Sequence, residues 1–329
     1  MATYKEIFGT NIEVLASDPA NPVAGQVWYN STENVVKGQG VTTAGSWSTG
    51  NDMNTGRNVL AGAGTQTAGL AAGGSVPPYT GATELYDGTS WTEVNDLNTA
   101  RGYNNGNGTQ TSALTYGGLD PTSSPVISTK TESWNGTSWT ELADFNLARY
   151  LFDGFGADST SALLFGGYSD PTGTVANTES WNGTSWTEVN DLNQARSDMG
   201  ATGTATAGLA IGGSPAPAYA FTELWNGTSW TEVGDLNTGR IALGGAGTST
   251  AALAFGGDIP AIPAIQSATE EYNGTSWTEV NDLNTGVRDM GSGGSQTAAV
   301  SFGGSTPSVT AATEEWNAPS PITVTFTDS

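Results

Sequence analysis

A seven-residue string, Asn/Asp-Gly-Thr-Ser-Trp-Thr-Glu, returns along this chain and limits its fold more than any other feature. It reads DGTSWTE from Asp87 to Glu93 and NGTSWTE from Asn135, Asn182, Asn226 and Asn273, with a degraded copy, AGSWSTG, at 44–50. The central tryptophans, Trp47, Trp91, Trp139, Trp186, Trp230 and Trp277, follow one another at intervals of 44, 48, 47, 44 and 47 residues. Self-similarity at such a period means stacked copies of one supersecondary unit, each unable to bury its apolar face alone.

One unit can be read from Arg149. The stretch Arg149–Gly156 reads as a first strand and Thr160–Gly167 as a second, largely apolar and closed by a Gly pair. Asn177–Trp181 and Ser185–Val189 read as a third and a fourth, joined through Asn182-Gly183. Asn-Gly suits a type I′ hairpin, in which both central residues take positive φ. Four short antiparallel strands repeated radially are the pattern of a β-propeller blade. Gly pairs recur at 73–74, 117–118, 166–167, 212–213, 256–257 and 303–304, and a Thr-Glu recurs at Glu84, Glu132, Glu179, Glu223, Glu270 and Glu314. The arginines, Arg57, Arg101, Arg149, Arg196, Arg240 and Arg288, read as standing at one phase. Six of each marker predicts an all-β, six-bladed propeller. The last unit stops at Trp316, before another Gly-Thr-Ser-Trp. The strand near Trp47 is therefore expected to complete the final blade and remove an exposed edge.

The chain divides on this reading into an attachment or oligomerisation segment at 1–40, the propeller at 41–316 and a tail at 317–329. In the first segment Gln26–Tyr29 and Asn34–Lys37 read as short strands around a polar turn, too small to fold alone. In the tail, Ile322 to Thr327 alternates with period two and predicts one more strand of unspecified partner.

Composition then narrows the chemistry. The chain has no Cys and no His, which removes disulfides, thiolate and imidazole metal ligands, and histidine-dependent nucleophile systems. Its 32 acids against 9 bases give a net charge of −23, which opposes binding to nucleic acid or to anionic membranes. No basic segment with an apolar stretch opens the chain and no apolar run is long enough to span a bilayer, so neither a signal peptide nor membrane insertion is expected.

The order Gly-Gly, aromatic at the end of strand three, Trp shortly after it and Arg ten residues further on resembles the kelch repeat; Trp181, Trp186 and Arg196 show the phase. The likeness covers about residues 45–316 and implies a kelch-type propeller, a fold that hosts enzymes, adaptors and adhesins alike. The chain departs from typical kelch proteins in its near-identical repeats, low charge density and Gly-rich inner strand. Separately, Pro22–Lys37, in the pattern P-x-x-G-x-x-W-Y-N-S-x-x-N-x-x-K, resembles a module near the N-termini of bacteriophage tail-fibre and other virion proteins. That resemblance implies a particle protein attached to other virion proteins through residues 1–40, with Trp28 and Tyr29 in the attachment segment, and it is compatible with a homo-oligomer.

Each conspicuous residue type also has a structural explanation. One Trp per blade at fixed phase reads as core between blades. Each Arg reads as paired with a carboxylate, either the strand-three Glu or an acid of its own WTEVND segment. Acid pairs such as Glu93/Asp96 and Glu188/Asp191 recur in several units, whereas glycosidase catalysis needs an asymmetric pair. No cofactor is expected; a structural Ca2+ ion is the sole candidate, and no Asp-x-Asp-x-Asp-Gly loop supports it. Galactose-oxidase-like copper chemistry lacks its Cys and His, and a sialidase-like arginine triad is not formed by arginines spread one per blade.

Variation points elsewhere. Between the Gly pair and the Thr-Glu the loops hold 8, 12, 10, 8, 11 and 8 residues and differ in sequence. Varied loops over a rigid scaffold are where recognition usually sits. On that face Tyr79, Tyr168, Tyr219 and Phe221, with Asp120, Asp170 and Asp258, are the candidate ligand-binding residues. The function expected is a non-enzymatic virion protein that contacts a host-surface glycan or protein receptor through these loops. The alternatives are a capsid decoration or head-fibre protein with no host role, and an intracellular kelch adaptor or degenerate carbohydrate-active enzyme.

Overall fold

The structure, a computed structural model, describes residues 6–7, 10–41, 44–122, 126–215, 219–259 and 264–326. Parts of three variable loops (123–125, 216–218 and 260–263) and the outermost residues of the predicted attachment segment and tail lie outside the described residues. Among the described residues the fold is all-β with no helix. It forms two compact units, Ser46–Asn317 and a smaller one made of Met1–Gly45 with Ala318–Ser329.

The smaller unit holds a four-stranded sheet. Val27–Asn30 and Val35–Val41 form an antiparallel hairpin; Glu13–Leu15 adds in parallel on one side and Pro321–Phe326 antiparallel on the other. The period-two tail thus has a partner, the Val35–Val41 strand. Trp28 is fully buried and its indole N–H donates to Asp18 Oδ1 at 3.0 Å. Lys37 Nζ and Asn30 Nδ2 converge on the same carboxylate at 2.8 and 2.9 Å. The Lys37 bond, with those of Trp28 and Asn30, pulls the Asp18 carboxyl down to about 2. Tyr29 is half-buried, with its hydroxyl on Asn34 Oδ1.

The larger unit is a repeated set of four-stranded antiparallel sheets, propeller-like in arrangement. The third sheet is typical: Asp153–Asp158, Ser161–Phe165, Thr178–Trp181 and Trp186–Val189, in chain order. The first strands of the six sheets are Ala61–Thr65, Asn105–Thr109, Asp153–Asp158, Gly200–Thr204, Gly244–Thr248 and Gly291–Ser295. Each lies against the first strand of the next sheet, and Gly291–Ser295 lies against Ala61–Thr65. Glycine permits this approach: a Cβ on Gly62 would stand 2.6 Å from the Ser292 backbone nitrogen. The last sheet takes its fourth strand, Ser46–Thr49, from the beginning of the unit, with Trp47 opposite Trp316.

Apolar side chains fill the slots between sheets. Tyr116 and Leu114 of the second sheet pack with Phe152, Leu164 and Trp186 of the third. The fourth-strand tryptophans are 5–6% exposed, and each indole N–H donates to the Thr hydroxyl that opens the third strand of the preceding sheet. The donor and acceptor pairs are Trp139–Thr83, Trp186–Thr131, Trp230–Thr178, Trp277–Thr222, Trp47–Thr269 and Trp91–Thr313. Each such residue stabilises through roughly 1.5–3 kcal/mol of apolar burial and leaves no orphaned indole donor.

Two details differ from the sequence reading. The Asn-Gly turn is not type I′. Trp181 pairs with Trp186, leaving a four-residue loop in which Gly183 has positive φ and Asn182 does not. Asn182 Oδ1 instead accepts from the backbone N–H groups of Thr184 and Ser185, each at 2.9 Å. The side chain therefore supplies the turn that a second positive φ would have supplied.

The arginines are also not equivalent. Arg57, Arg101, Arg149, Arg196 and Arg240 are fully buried and bond Glu84, Glu132, Glu179, Glu223 and Glu270 at 2.5–3.2 Å. Each pair lies within one sheet's own unit. Burial holds these guanidinium pKa values below the ordinary range, with Arg149 brought down to about 10. Arg288 stands one residue out of phase. Val287 fills the buried slot instead, and Arg288 reaches the surface, its side chain 39% exposed. Glu314, the acid of that sheet, accepts from the backbone N–H and amide of Asn284 and from Thr285 N.

Candidate functional site

Antiparallel order puts the entry to each first strand at the same end of its sheet as the second-to-third loop. At this end the residue two positions after each buried Arg, or after Val287, is held at positive φ. These are Val59, Tyr103, Leu151, Asp198, Ala242 and Asp289, at φ 49 to 57°. None is glycine, and a β-branched residue such as Val59 is a conformational outlier there.

Backbone bonds between neighbouring sheets enforce the conformation. Tyr103 N donates to Val59 O, Val59 N to Asp289 O, Asp289 N to Ala242 O, Ala242 N to Asp198 O and Asp198 N to Leu151 O, at 2.8–3.1 Å. The bonds fix these six residues as a rim. Below it the first strands enclose a cavity of about 270 Å3, lined at one level by Gly62, Gly106, Gly154, Ala201, Gly245 and Ser292.

Four tyrosines cross the rim region in a row. Tyr79 leaves the loop of the first sheet, Tyr103 and Tyr150 lead into the second and third, and Tyr168 opens the loop of the third. Their ring centroids follow at 6.5, 5.9 and 5.6 Å, with interplanar angles of 90°, 78° and 57°. Gly102 makes room for the row, since a Cβ there would lie 2.8 Å from the Tyr79 ring. Tyr150 and Tyr168 are joined as an antiparallel bridge. Tyr168 is exposed and the others half-buried. Burial raises the phenol pKa values of Tyr79, Tyr103 and Tyr150. The carboxylates Asp289 and Asp198 add to the shift at Tyr103, and Asp198 and Asp170 add to it at Tyr150.

The rim is acidic. Burial pushes the Asp198 carboxyl up to about 7; the charge of Asp289 adds to this and Arg288 opposes it. Asp289 is raised chiefly by burial too, with Arg288 pulling it back. Arg288 bonds Asp258 at 2.6 Å and lies 3.7 Å from Asp289, so its charge is already matched. A third raised carboxyl, Asp153, is pushed up to about 7 by burial in the slot between the second and third sheets, although it keeps some solvent access. Its Oδ1 accepts from Asn105 Nδ2 at 2.6 Å and from Gly154 N at 2.7 Å. Among the described residues no three acidic side chains gather as they would around a metal ion.

The sequence-selected residues separate into three groups. Tyr79 and Tyr168 join the row, and Asp170 is exposed beside it. Tyr219 and Phe221 stack on each other at 4.8 Å and 12°, both half-buried. Asp120 and Asp258 are both buried. Asp120 is 1% exposed and accepts from Thr122 N and Oγ1, which makes it a turn former within its loop. Asp258 is 8% exposed and holds Arg288. Tyr103, Tyr150, Asp198 and Asp289 were not selected from the sequence. Their signal was there, because the two residues after each buried Arg, or after Val287, vary from sheet to sheet while the Asn-x-Ala/Gly before it repeats.

The fold and this face define an all-β protein of propeller-like repeated sheets with an aromatic, acidic surface at one end of its first strands. The sequence matches no protein-family model and no curated protein.

Proposed function

We propose that the larger unit is a closed six-bladed, kelch-type β-propeller and that the protein is a non-enzymatic structural component of a bacteriophage virion. In this reading it is displayed on the tail and binds a glycan or protein of the host surface through the variable-loop face. Residues 1–40 attach it to other virion proteins. The observation that carries the reading is the tyrosine row. Four partly exposed aromatic side chains from three sheets stand over a rim whose backbone is fixed by inter-sheet hydrogen bonds. Rigid aromatic area at low entropic cost is what a recognition surface needs.

The non-enzymatic reading is supported by chemistry. With no His or Cys, a catalytic step would fall to carboxylates; of the three that burial raises among the described residues, Asp153 bonds Asn105 between sheets and Asp289 lies beside Arg288, which leaves Asp198 on the rim. The virion reading rests on Pro22–Lys37, whose Trp28, Asn30 and Lys37 meet on Asp18 and so build a defined small fold. Immunogold labelling of purified particles and binding of the pure protein to host cells test the two parts. Absence from particles refutes the virion assignment, and failure to bind cells refutes the receptor role.

A further inference from the structure

The hydroxyls of the tyrosine row are its least explained feature. Elsewhere among the described residues Tyr29, Tyr86 and Tyr116 donate to Asn34, Glu315 and Asn105, while Tyr219 and Tyr272 stand singly without such a bond. Among the described residues Tyr79, Tyr103, Tyr150 and Tyr168 make no hydrogen bond to protein through their hydroxyls, although they stand side by side and three are half-buried. Four adjacent groups that can donate and accept, on rings whose edges and faces alternate, suit a partner rich in hydroxyls along its length.

Charge restricts that partner further. The charged groups acting on Tyr103 and Tyr150 are all carboxylates: Asp289, Asp198 and Asp170. The cations of the larger unit are already engaged. Five arginines are sealed against glutamates, Arg288 is held by Asp258 and Asp289, and Lys130 Nζ donates to Thr99 Oγ1. An anionic ligand would meet Asp170 and Asp198, beside the Arg288-paired Asp289, with no free cation among the described residues to pair with. Carboxylates are good acceptors for the O–H groups of an uncharged sugar.

We propose that the tyrosine row is the binding site for an uncharged saccharide chain, with Tyr103 and Tyr150 as its central contacts, and that it selects against chains bearing carboxylate, sulfate or phosphate. This deepens the surface-recognition reading and rests on it. Specificity here is a difference of affinities, generated by repulsion as much as by contact.

The test is calorimetric titration of the full-length protein with a panel of uncharged glucan, mannan and galactan hexasaccharides and with oligogalacturonate and oligoalginate of equal length. The expected result is binding by at least one uncharged chain and none by the acidic chains. Tyr103→Ala and Tyr150→Ala should each weaken binding about ten-fold or more. Tyr150→Phe, which keeps the ring and the fold, should weaken it several-fold. Unchanged affinity in Tyr150→Phe and Tyr103→Ala, or an acidic chain binding as tightly as its uncharged counterpart, overturns the proposal. If the protein adheres to host cells but binds no uncharged chain, the glycan assignment falls and the surface-recognition reading stands. If it does not adhere to cells either, both fall.

Discussion

Trp91 and Thr313 are 222 residues apart in sequence, and the Trp91 indole N–H donates to the Thr313 hydroxyl at 3.0 Å. The bond ties the first sheet of the larger unit to the last, as Trp186–Thr131 ties the third to the second. Thr→Val keeps the shape and removes the acceptor, leaving a buried indole donor unsatisfied at a cost of about 1–3 kcal/mol. Thr313→Val and Thr131→Val should therefore cost similar amounts in urea unfolding. The junction between last and first sheets is then as tight as any other. A much smaller loss for Thr313→Val would mean that the junction opens independently of the rest.

The glutamates of the third strands offer an internal comparison. Glu223 accepts from Arg196 and from both nitrogens of Asn193, whereas Glu314 accepts from Asn284 and Thr285 with no arginine. Glu223→Gln would leave a buried guanidinium uncompensated, which costs about 3–5 kcal/mol. Glu314→Gln loses only charge-assisted hydrogen bonds, worth about 1–2 kcal/mol. Chemical denaturation of the two variants separates these values. Equal losses would assign the stability to the asparagine bonds that both sheets share.

The repeated architecture was legible because each marker recurs at a fixed phase. Trp186 and the Gly166-Gly167 pair have counterparts in the other sheets, and a residue that serves one slot serves all of them. Legibility failed where symmetry breaks. Arg288 follows Arg240 by 48 residues while Trp277 follows Trp230 by 47, a one-residue slip that exchanges the buried and exposed positions. The burial of Asp120 and Asp258 is not legible either, because an aspartate that caps a turn or holds an arginine has the same sequence context as an exposed one. Tyr103 and Tyr150 escaped notice because they lie outside the loops of variable length. They share the face with those loops only through strand direction.

Asp153 ties stability to pH. Its folded carboxyl titrates at about 7, raised by burial, whereas an unfolded aspartate titrates near about 4. A raised carboxyl contributes stability that is fully present below the unfolded value and is lost as pH rises through the folded one. Asp198 acts in the same direction over the same window. Asp153→Asn keeps an acceptor for Asn105 and Gly154 and removes the titration. The variant should melt close to wild type at about pH 3.5, below the unfolded value, and above it at about pH 8, beyond the folded one. A wild-type melting temperature that does not fall relative to the variant between those values would show that the slot admits enough water to leave Asp153 ionised.

Val59 carries the clearest backbone strain of the rim, a β-branched residue at φ 49°. Holding a non-glycine residue in this region costs about 1–3 kcal/mol, and asparagine, whose short polar side chain can bond locally, tolerates it best. The Val59 side chain is only half-buried, so little apolar burial opposes replacement. Its N–H bond to Asp289 O and its carbonyl bond from Tyr103 N belong to the backbone and survive the change. Val59→Asn should raise stability by about 1 kcal/mol in urea titration. A loss of that size would mean that the contact of Val59 near Gly102, beside the Tyr79 ring, outweighs the strain. The rim would then be held by its side chains as well as by its hydrogen bonds.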